Sequence, residues 1–303
     1  MPSELLALIA AFCYAGGFVL GKRGLSGTSI AAAVLVAVGA GWVVMLPPVL
    51  IDPPTAMSGT GVLLFALGGL ISPGVGYSSA LAGVERLGPS IGVPIQQGGR
   101  PLIAVSAALL FLHEAVSWIQ VVGIVTIVVG GIGISRYRGA EREVRSEAAS
   151  AGDSKSGTLR GAFRPGLAFP IMAALAFAGF DVVIKRSLQA EIEPTTGTMI
   201  AIGTGFTAWA IGVAVVPRVR RSVRVGPNLG WLVAGGMMFG VATLCLVHAL
   251  SRGEVSVVSP ILASQPLMVF ILSKLFLGEV ESVDLSTVVL GSLVVIGTVL
   301  VVL

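Results

Sequence analysis

Arg100 and Asp181 are charged residues that stand inside otherwise apolar stretches. A charge near the centre of a membrane-spanning helix costs about 2.5–3.5 kcal/mol on insertion scales, so Arg100 must face the interior of a helix bundle and find partners there. Two readings of it stand open. Its planar fork of donors matches a carboxylate or phosphate, which would make it an anchor for an anionic group of a bound solute. Alternatively it is a structural arginine, tied to an internal carboxylate or to carbonyls freed by the adjacent Pro101. Asp181 also has two readings. It can serve as a proton-coupling carboxylate, or it can form an i,i+4 salt bridge with Lys185 near the helix end.

Hydrogen-bonding residues surround Arg100 in the run Ile91-Gly92-Val93-Pro94-Ile95-Gln96-Gln97-Gly98-Gly99-Arg100-Pro101. Gln96 and Gln97 are adjacent, so on a helix they point in different directions, and at most one of them lines a central space directly. A second copy of the pattern follows later as Val258-Ser259-Pro260-Ile261-Leu262-Ala263-Ser264-Gln265-Pro266. Gln265 there takes the place that Arg100 has in the first copy, each preceding a proline. Proline removes a backbone donor and crowds the preceding turn, so Pro94, Pro101, Pro260 and Pro266 are expected to bend or break their helices. Paired interruptions of this kind point to a central binding site, for which Arg100, Gln96, Gln97, Gln265, Ser264 and Tyr14 are the candidate contacts.

These residues need elements to hold them, and composition says what those elements are. Of 303 residues, 55% are hydrophobic and only 11% are charged. Soluble domains carry roughly 25% charged residues, so lipid must be the solvent for most of this chain. At about 20 apolar residues per crossing, ten spans are expected: 3–21, 29–51, 60–84, 88–112, 116–135, 165–185, 195–217, 228–250, 255–277 and 283–303. The Met-Pro-Ser-Glu start lacks a basic n-region, so the first apolar run reads as a retained span. Cys13 and Cys245 lie in separate apolar runs and suggest neither a disulfide nor a metal site. The formal charge of +4 sits in short loops and requires no nucleic-acid partner.

One long polar stretch, 136–164, divides the chain. It reads as a basic flexible linker between a first five-helix repeat, 1–135, and a second, 165–303. Lys22-Arg23 closes the first span of one half, as Lys185-Arg186 does in the other. Arg86 precedes Ser90 and Pro94 with the spacing at which Arg252 precedes Ser256 and Pro260. An odd number of spans per half makes the repeats inverted, so the fold class is an all-α integral membrane protein of ten helices in two inverted sets.

With these features in view, the chain resembles the EamA-type branch of the drug/metabolite transporter superfamily. The resemblance rests on the two five-helix halves, the lysine ending each first helix, and the run Leu275-Phe276-Leu277-Gly278-Glu279. The first half carries Leu110-Phe111-Leu112-His113-Glu114 at the same place, with His for Gly. The first helix has Tyr14-Ala15-Gly16-Gly17-Phe18, where a Trp-Gly pair is common in the family.

The resemblance implies a non-enzymatic carrier in the cell membrane, without cofactor, and with both termini in the cytoplasm. Loop charges argue the opposite orientation. Lys22, Arg23, Arg86, the basic residues of the linker, and Arg218, Arg220, Arg221 and Arg224 all fall on one side, which the positive-inside rule assigns to the cytoplasm.

Glu114 and Glu279 read as boundary charges at helix ends and Lys274 as a snorkelling cation. His113 and His248 read as proton relays or as tolerated interfacial residues. Tyr14, Phe18, Phe177 and Phe180 form either an aromatic wall for a solute or ordinary packing. Glycine pairs such as Gly68-Gly69 and Gly235-Gly236 mark close helix packing.

The expected function is alternating-access transport of a small organic metabolite, amino acid or drug-like solute, with or without proton exchange. The rivals are a magnesium-like cation carrier or channel, which needs several acids on one cavity, and a lipid-carrier flippase. The sequence shows no Gly-x-Ser-x-Gly, no His-Glu-x-x-His and no paired intramembrane aspartates to favour an enzyme.

Overall fold

A computed structural model describes the chain apart from residues 52, 54–56, 115, 132, 134–155, 191, 277–284 and 303, so Glu279 and most of the linker lie outside the described residues. The described residues form helices joined by short turns: α1 (Ser3–Gly24), α2 (Ile30–Ile51), α3 (Gly59–Leu87), α4 (Pro89–Ala107), α5 (Trp118–Gly131) and α6 (Ser156–Leu188). They continue with α7 (Pro194–Val215), α8 (Pro217–Ser222), α9 (Leu229–Arg252), α10 (Val255–Leu262), α11 (Gln265–Phe276) and α12 (Leu285–Val302). Helix α6 begins inside the segment read as linker.

Among the described residues, 8 helical stretches are long and apolar enough to cross a membrane, with α10 and α11 together counting as one. The ten expected spans are therefore matched in part. Helix α5 stands where the fifth was expected, and its described part, Trp118–Gly131, is shorter than the roughly 20 residues a full crossing needs. Helix α12 occupies the place of the tenth with 18 residues.

Polar side chains set several helix starts. Ser29 caps α2 by accepting from the Ala32 amide, and Ser58 caps α3 from the Gly61 amide. Glu193 accepts from Thr195 and Thr196 at the start of α7, and Pro194 takes the first turn, where its missing N–H costs nothing.

Of the four prolines expected to bend or break their helices, one pair stands within an uninterrupted helix and the other accompanies an interruption. The chain passes Pro94 and Pro101 within the single helix α4. A proline's own dihedrals fit a helix, so losing one donor need not end it. The interruption comes only in the second half, at Ala263–Ser264 between α10 and α11. Pro260 lies inside α10, and Pro266 opens α11. Local bonds from Ala263 N–H to the Pro260 carbonyl (3.0 Å) and from Ser264 N–H to the Ile261 carbonyl (3.1 Å) satisfy that turn. A further irregularity is a π-helical stretch, Leu70–Gly76, around Pro73 in α3. The Gly74 carbonyl there accepts from the Trp209 indole at 2.7 Å and from the Ser78 hydroxyl at 3.1 Å.

The two halves interlock reciprocally. Helix α1 packs on α9 and on α10–α11 of the second half, while α6 packs on α3 and α4 of the first. Likewise α2 meets α9, α7 meets α3, and α4 meets both α10 and α11. Small residues permit this approach. A Cβ on Gly17 would stand 3.1 Å from the Gly235 carbonyl oxygen, and one on Gly41 would stand 2.9 Å from that of Gly236.

The paired lysines repeat the symmetry. Lys22 donates to the Glu85 carbonyl at the end of α3, and Lys185 donates to the Leu250 and Gly253 carbonyls at the end of α9. A cation at a helix C-terminus is favoured by the exposed carbonyls and the macrodipole.

Candidate functional site

Helix α4 brings Arg100 to α6, where it meets Asp181. Nε donates to Oδ2 at 2.9 Å and Nη2 donates to Oδ1 at 2.6 Å. Arg100 is 2% exposed and Asp181 is fully buried. The guanidinium carbon also lies 5.6 Å from the centre of the Phe177 ring, one turn before Asp181 on α6. The bidentate pair makes this charged spot net neutral, which is how a buried arginine becomes tolerable. Of the two readings of Asp181, the Asp181–Lys185 bridge is not formed, because Lys185 spends its ammonium on the carbonyls of α9.

One turn earlier on α4, Gln97 donates from its amide nitrogen to the Gln265 amide oxygen at the start of α11. The contact joins the fourth helix of one half to its counterpart in the other, immediately beside the α10–α11 interruption. Several buried polar atoms of α4, α10 and α11 and the turn between the last two have no protein partner among the described residues: Gln96 Nε2, Gln97 Oε1, Gln265 Nε2, Ser264 Oγ and Ser259 Oγ. An unmet buried donor or acceptor costs about 1–3 kcal/mol, so each such group is one at which a hydrogen-bonding guest would gain. Adjacent Gln96 and Gln97 divide as their helix positions require, with only Gln97 reaching Gln265.

Tyr14, on α1, holds Thr243 on α9 through its hydroxyl at 3.0 Å. Because Thr243 donates its single proton to the Phe239 carbonyl at 2.8 Å, Tyr14 is the donor. Phe239 links this pair to further aromatics. Its ring centre lies 5.7 Å from Tyr14 and 4.3 Å from Tyr77, and Tyr77 stacks on Phe18 at 6.2 Å. Of the four aromatics read as either a wall for a solute or ordinary packing, Tyr14 and Phe18 join this chain of rings, while Phe177 lies at the ion pair and Phe180 is buried against Gly68.

Thr243, Tyr77, Phe239 and Ser259 were not among the residues singled out in sequence. One signal for them exists. Tyr77 and Thr243 stand equally far before Arg86 and Arg252, so they occupy corresponding places in the two third helices.

Glu114 has a more definite place than a boundary charge. Its carboxylate oxygens accept from the amides of Val255 and Ser256, each at 2.9 Å, and so cap the N-terminus of α10 in the other half. His113 adopts a left-handed conformation with φ of 55° at the end of a π-helical turn, Ala108–Leu112, that follows α4. His248 Nε2 meets the Thr195 hydroxyl at 3.2 Å. Lys274 is exposed. Cys13 and Cys245 are unbonded thiols.

Long apolar helices enclosing a buried ion pair and a run of polar side chains define a multi-pass membrane protein. Comparison with known proteins specifies it. The model of the EamA-like transporter family matches residues 1–136 and 164–303, and the chain belongs to that family, a group of membrane transporters of the drug/metabolite type. Among solved structures, one titled only "Crystal structure of protein" superposes with a TM-score of 0.72 at 15% identity, covering 99% of this chain and 98% of that one. At that identity the match speaks for the shared fold. No curated protein matches the chain.

Proposed function

We propose that the protein is an alternating-access secondary transporter for a small organic solute, with the solute held between α4, α6 and the α10–α11 interruption. The observation that carries this reading is that the Gln97–Gln265 contact leaves Gln97 Oε1 and Gln265 Nε2 buried without a described partner, with Ser264 Oγ likewise unmet at the residue before Gln265, one turn along α4 from the Arg100–Asp181 pair. A guest bearing donors and acceptors would meet those groups. Ten helices in two inverted five-helix sets suit this mechanism, because rocking one set against the other exposes a central site to each side in turn. The reciprocal packing of α1 on α9 and of α6 on α3 supports that arrangement.

Arg100 and Asp181 neutralise each other in the state described here. A proton on Asp181, or an anionic group of the solute on Arg100, would substitute for one partner, which is a route to coupling. A divalent-cation carrier gains no support from Asp181, since both of its carboxylate oxygens are taken by Arg100.

The test is transport by purified protein in liposomes against a panel of metabolites, with and without a pH gradient, beside Arg100→Ala, Asp181→Asn and Gln265→Leu. Loss of transport in these variants, in protein that still folds, is expected. Unchanged transport of an identified solute in all three would move the site elsewhere.

A further inference from the structure

The two ends of the helix bundle differ in charge among the described residues, and one of them carries cations that no described protein group neutralises. Helix α8, a short element directly after α7, presents Arg218, Arg220 and Arg221, and Arg224 follows it. All four are exposed. None of them has a side-chain hydrogen bond or ion pair among the described residues.

The segment is held in place on the end of the bundle. Ser29 N–H donates to the Arg224 carbonyl at 3.0 Å, Arg224 N–H donates to the Ser29 hydroxyl at 3.0 Å, and Gly226 N–H donates to the Thr28 hydroxyl at 3.0 Å. Apolar side chains stand exposed beside the arginines: Val215 at 70%, Val216 at 43% and Val225 at 60%. Exposed valines next to exposed arginines at the end of a spanning helix match an element lying at the boundary between headgroups and acyl chains.

We propose that this face binds the phosphate headgroups of anionic lipids, with α8 and Arg224 as the binding element. Guanidinium groups match phosphate oxygens with two parallel donors. The neighbouring cations on this face are placed differently. Arg23 is spent on the Phe276 carbonyl and on the Trp231 ring, 4.4 Å away, and Arg86 lies over the Phe169 ring at 4.1 Å. Among the arginines of this face whose side chains are described, those of α8 and Arg224 are therefore the ones available to lipid. The opposite end of the bundle is mixed in charge among the described residues, with Glu114 and Glu254 close to Lys185, and Glu193 and Arg252 both close to His248. Each arginine close to an anionic surface favours it by a factor of about five, so the two ends should differ in lipid preference.

The experiment reconstitutes the full chain into bilayers of phosphatidylcholine with a minor fraction of phosphatidylglycerol and counts the lipids retained by the protein in mass spectrometry. Retained phosphatidylglycerol is expected above its bulk fraction on the order of fivefold or more. The enrichment should fall as salt rises through the range where the screening length shortens from about 10 Å to 3 Å. Replacing Arg218, Arg220, Arg221 and Arg224 by Gln should remove it, whereas Arg186→Gln with Arg252→Gln at the other end should leave it intact. Should the fourfold variant fail to fold, Arg220→Gln with Arg221→Gln is read in the same way and should halve the enrichment or more. Absence of enrichment in the natural sequence would overturn the proposal, as would enrichment indifferent to these arginines. Displacement of the lipid by millimolar inorganic phosphate would instead identify a free-phosphate site and overturn the lipid assignment.

Discussion

Arg100 on α4 and Asp181 on α6 are joined by two charge-assisted hydrogen bonds, 2.9 and 2.6 Å long, across the boundary between the two halves of the chain. Removing one member of a buried pair strands the other charge and costs about 3–5 kcal/mol, whereas removing both costs less. Arg100→Ala and Asp181→Ala should therefore each lower the melting temperature in detergent more than the double variant does. A double variant as unstable as the sum of the singles would mean that the two residues act independently.

Glu114 ties the halves together at a different level. Its carboxylate receives the Val255 and Ser256 amides and so sets the first turn of α10, which carries Ser259 and leads to Gln265. Glu114→Ala should cost about 1 kcal/mol, as loss of a helix cap does. It should also speed hydrogen exchange at the α10 amides more than at α1. Equal exchange at α10 in the variant and the natural protein would rule out a capping role.

Close helix packing predicts opposite outcomes at two glycines. A Cβ on Gly69 of α3 would collide with the Ala201 carbonyl of α7, while one on Gly212 of α7 meets nothing within 4 Å. Gly69→Ala should destabilise by about 1–3 kcal/mol through overpacking. Gly212→Ala should be neutral or stabilise by up to about 1 kcal/mol, because alanine is the better helix former. Thermal melts of the two variants side by side decide it.

Glu193 supplies a pH-dependent contribution outside the spans. Partial burial is the largest influence on its carboxyl and pushes the pKa up, but the bonds from Thr196 and Thr195 together outweigh it and leave the pKa below its usual 4.5. A depressed carboxylate pKa adds stability that is present above the unfolded value and is lost as pH falls through the folded one. Glu193→Ala should thus cost about 0.5–1 kcal/mol near neutral pH, at the low end for a cap because the group is largely solvated. The gap to the natural protein should close on acidification below pH 4.5. A gap that widens in acid would contradict this.

What the amino-acid order determines by itself is everything that depends on neighbours along the chain. The scarcity of charge and the apolar runs define a membrane solvent. The matched Lys22 and Lys185, and Arg86 and Arg252, reveal two related halves. The same reasoning marks Arg100, Asp181, Gln97 and Gln265 as polar groups that must be buried, because depth in a span follows from position within it.

Which groups they are buried with is a matter of tertiary structure. Asp181 has Lys185 one turn away, yet it binds Arg100, 81 positions distant, because α6 packs on α4 and Lys185 reaches the carbonyls at the end of α9. The two prolines of α4 and the two of the second half look alike in sequence, yet only the second set accompanies an interruption. Glu114 becomes a cap only because the start of α10 lies beside the end of α4. Helical periodicity and span length are local properties, whereas a partner across the bundle is chosen by which small-residue faces let two backbones come close.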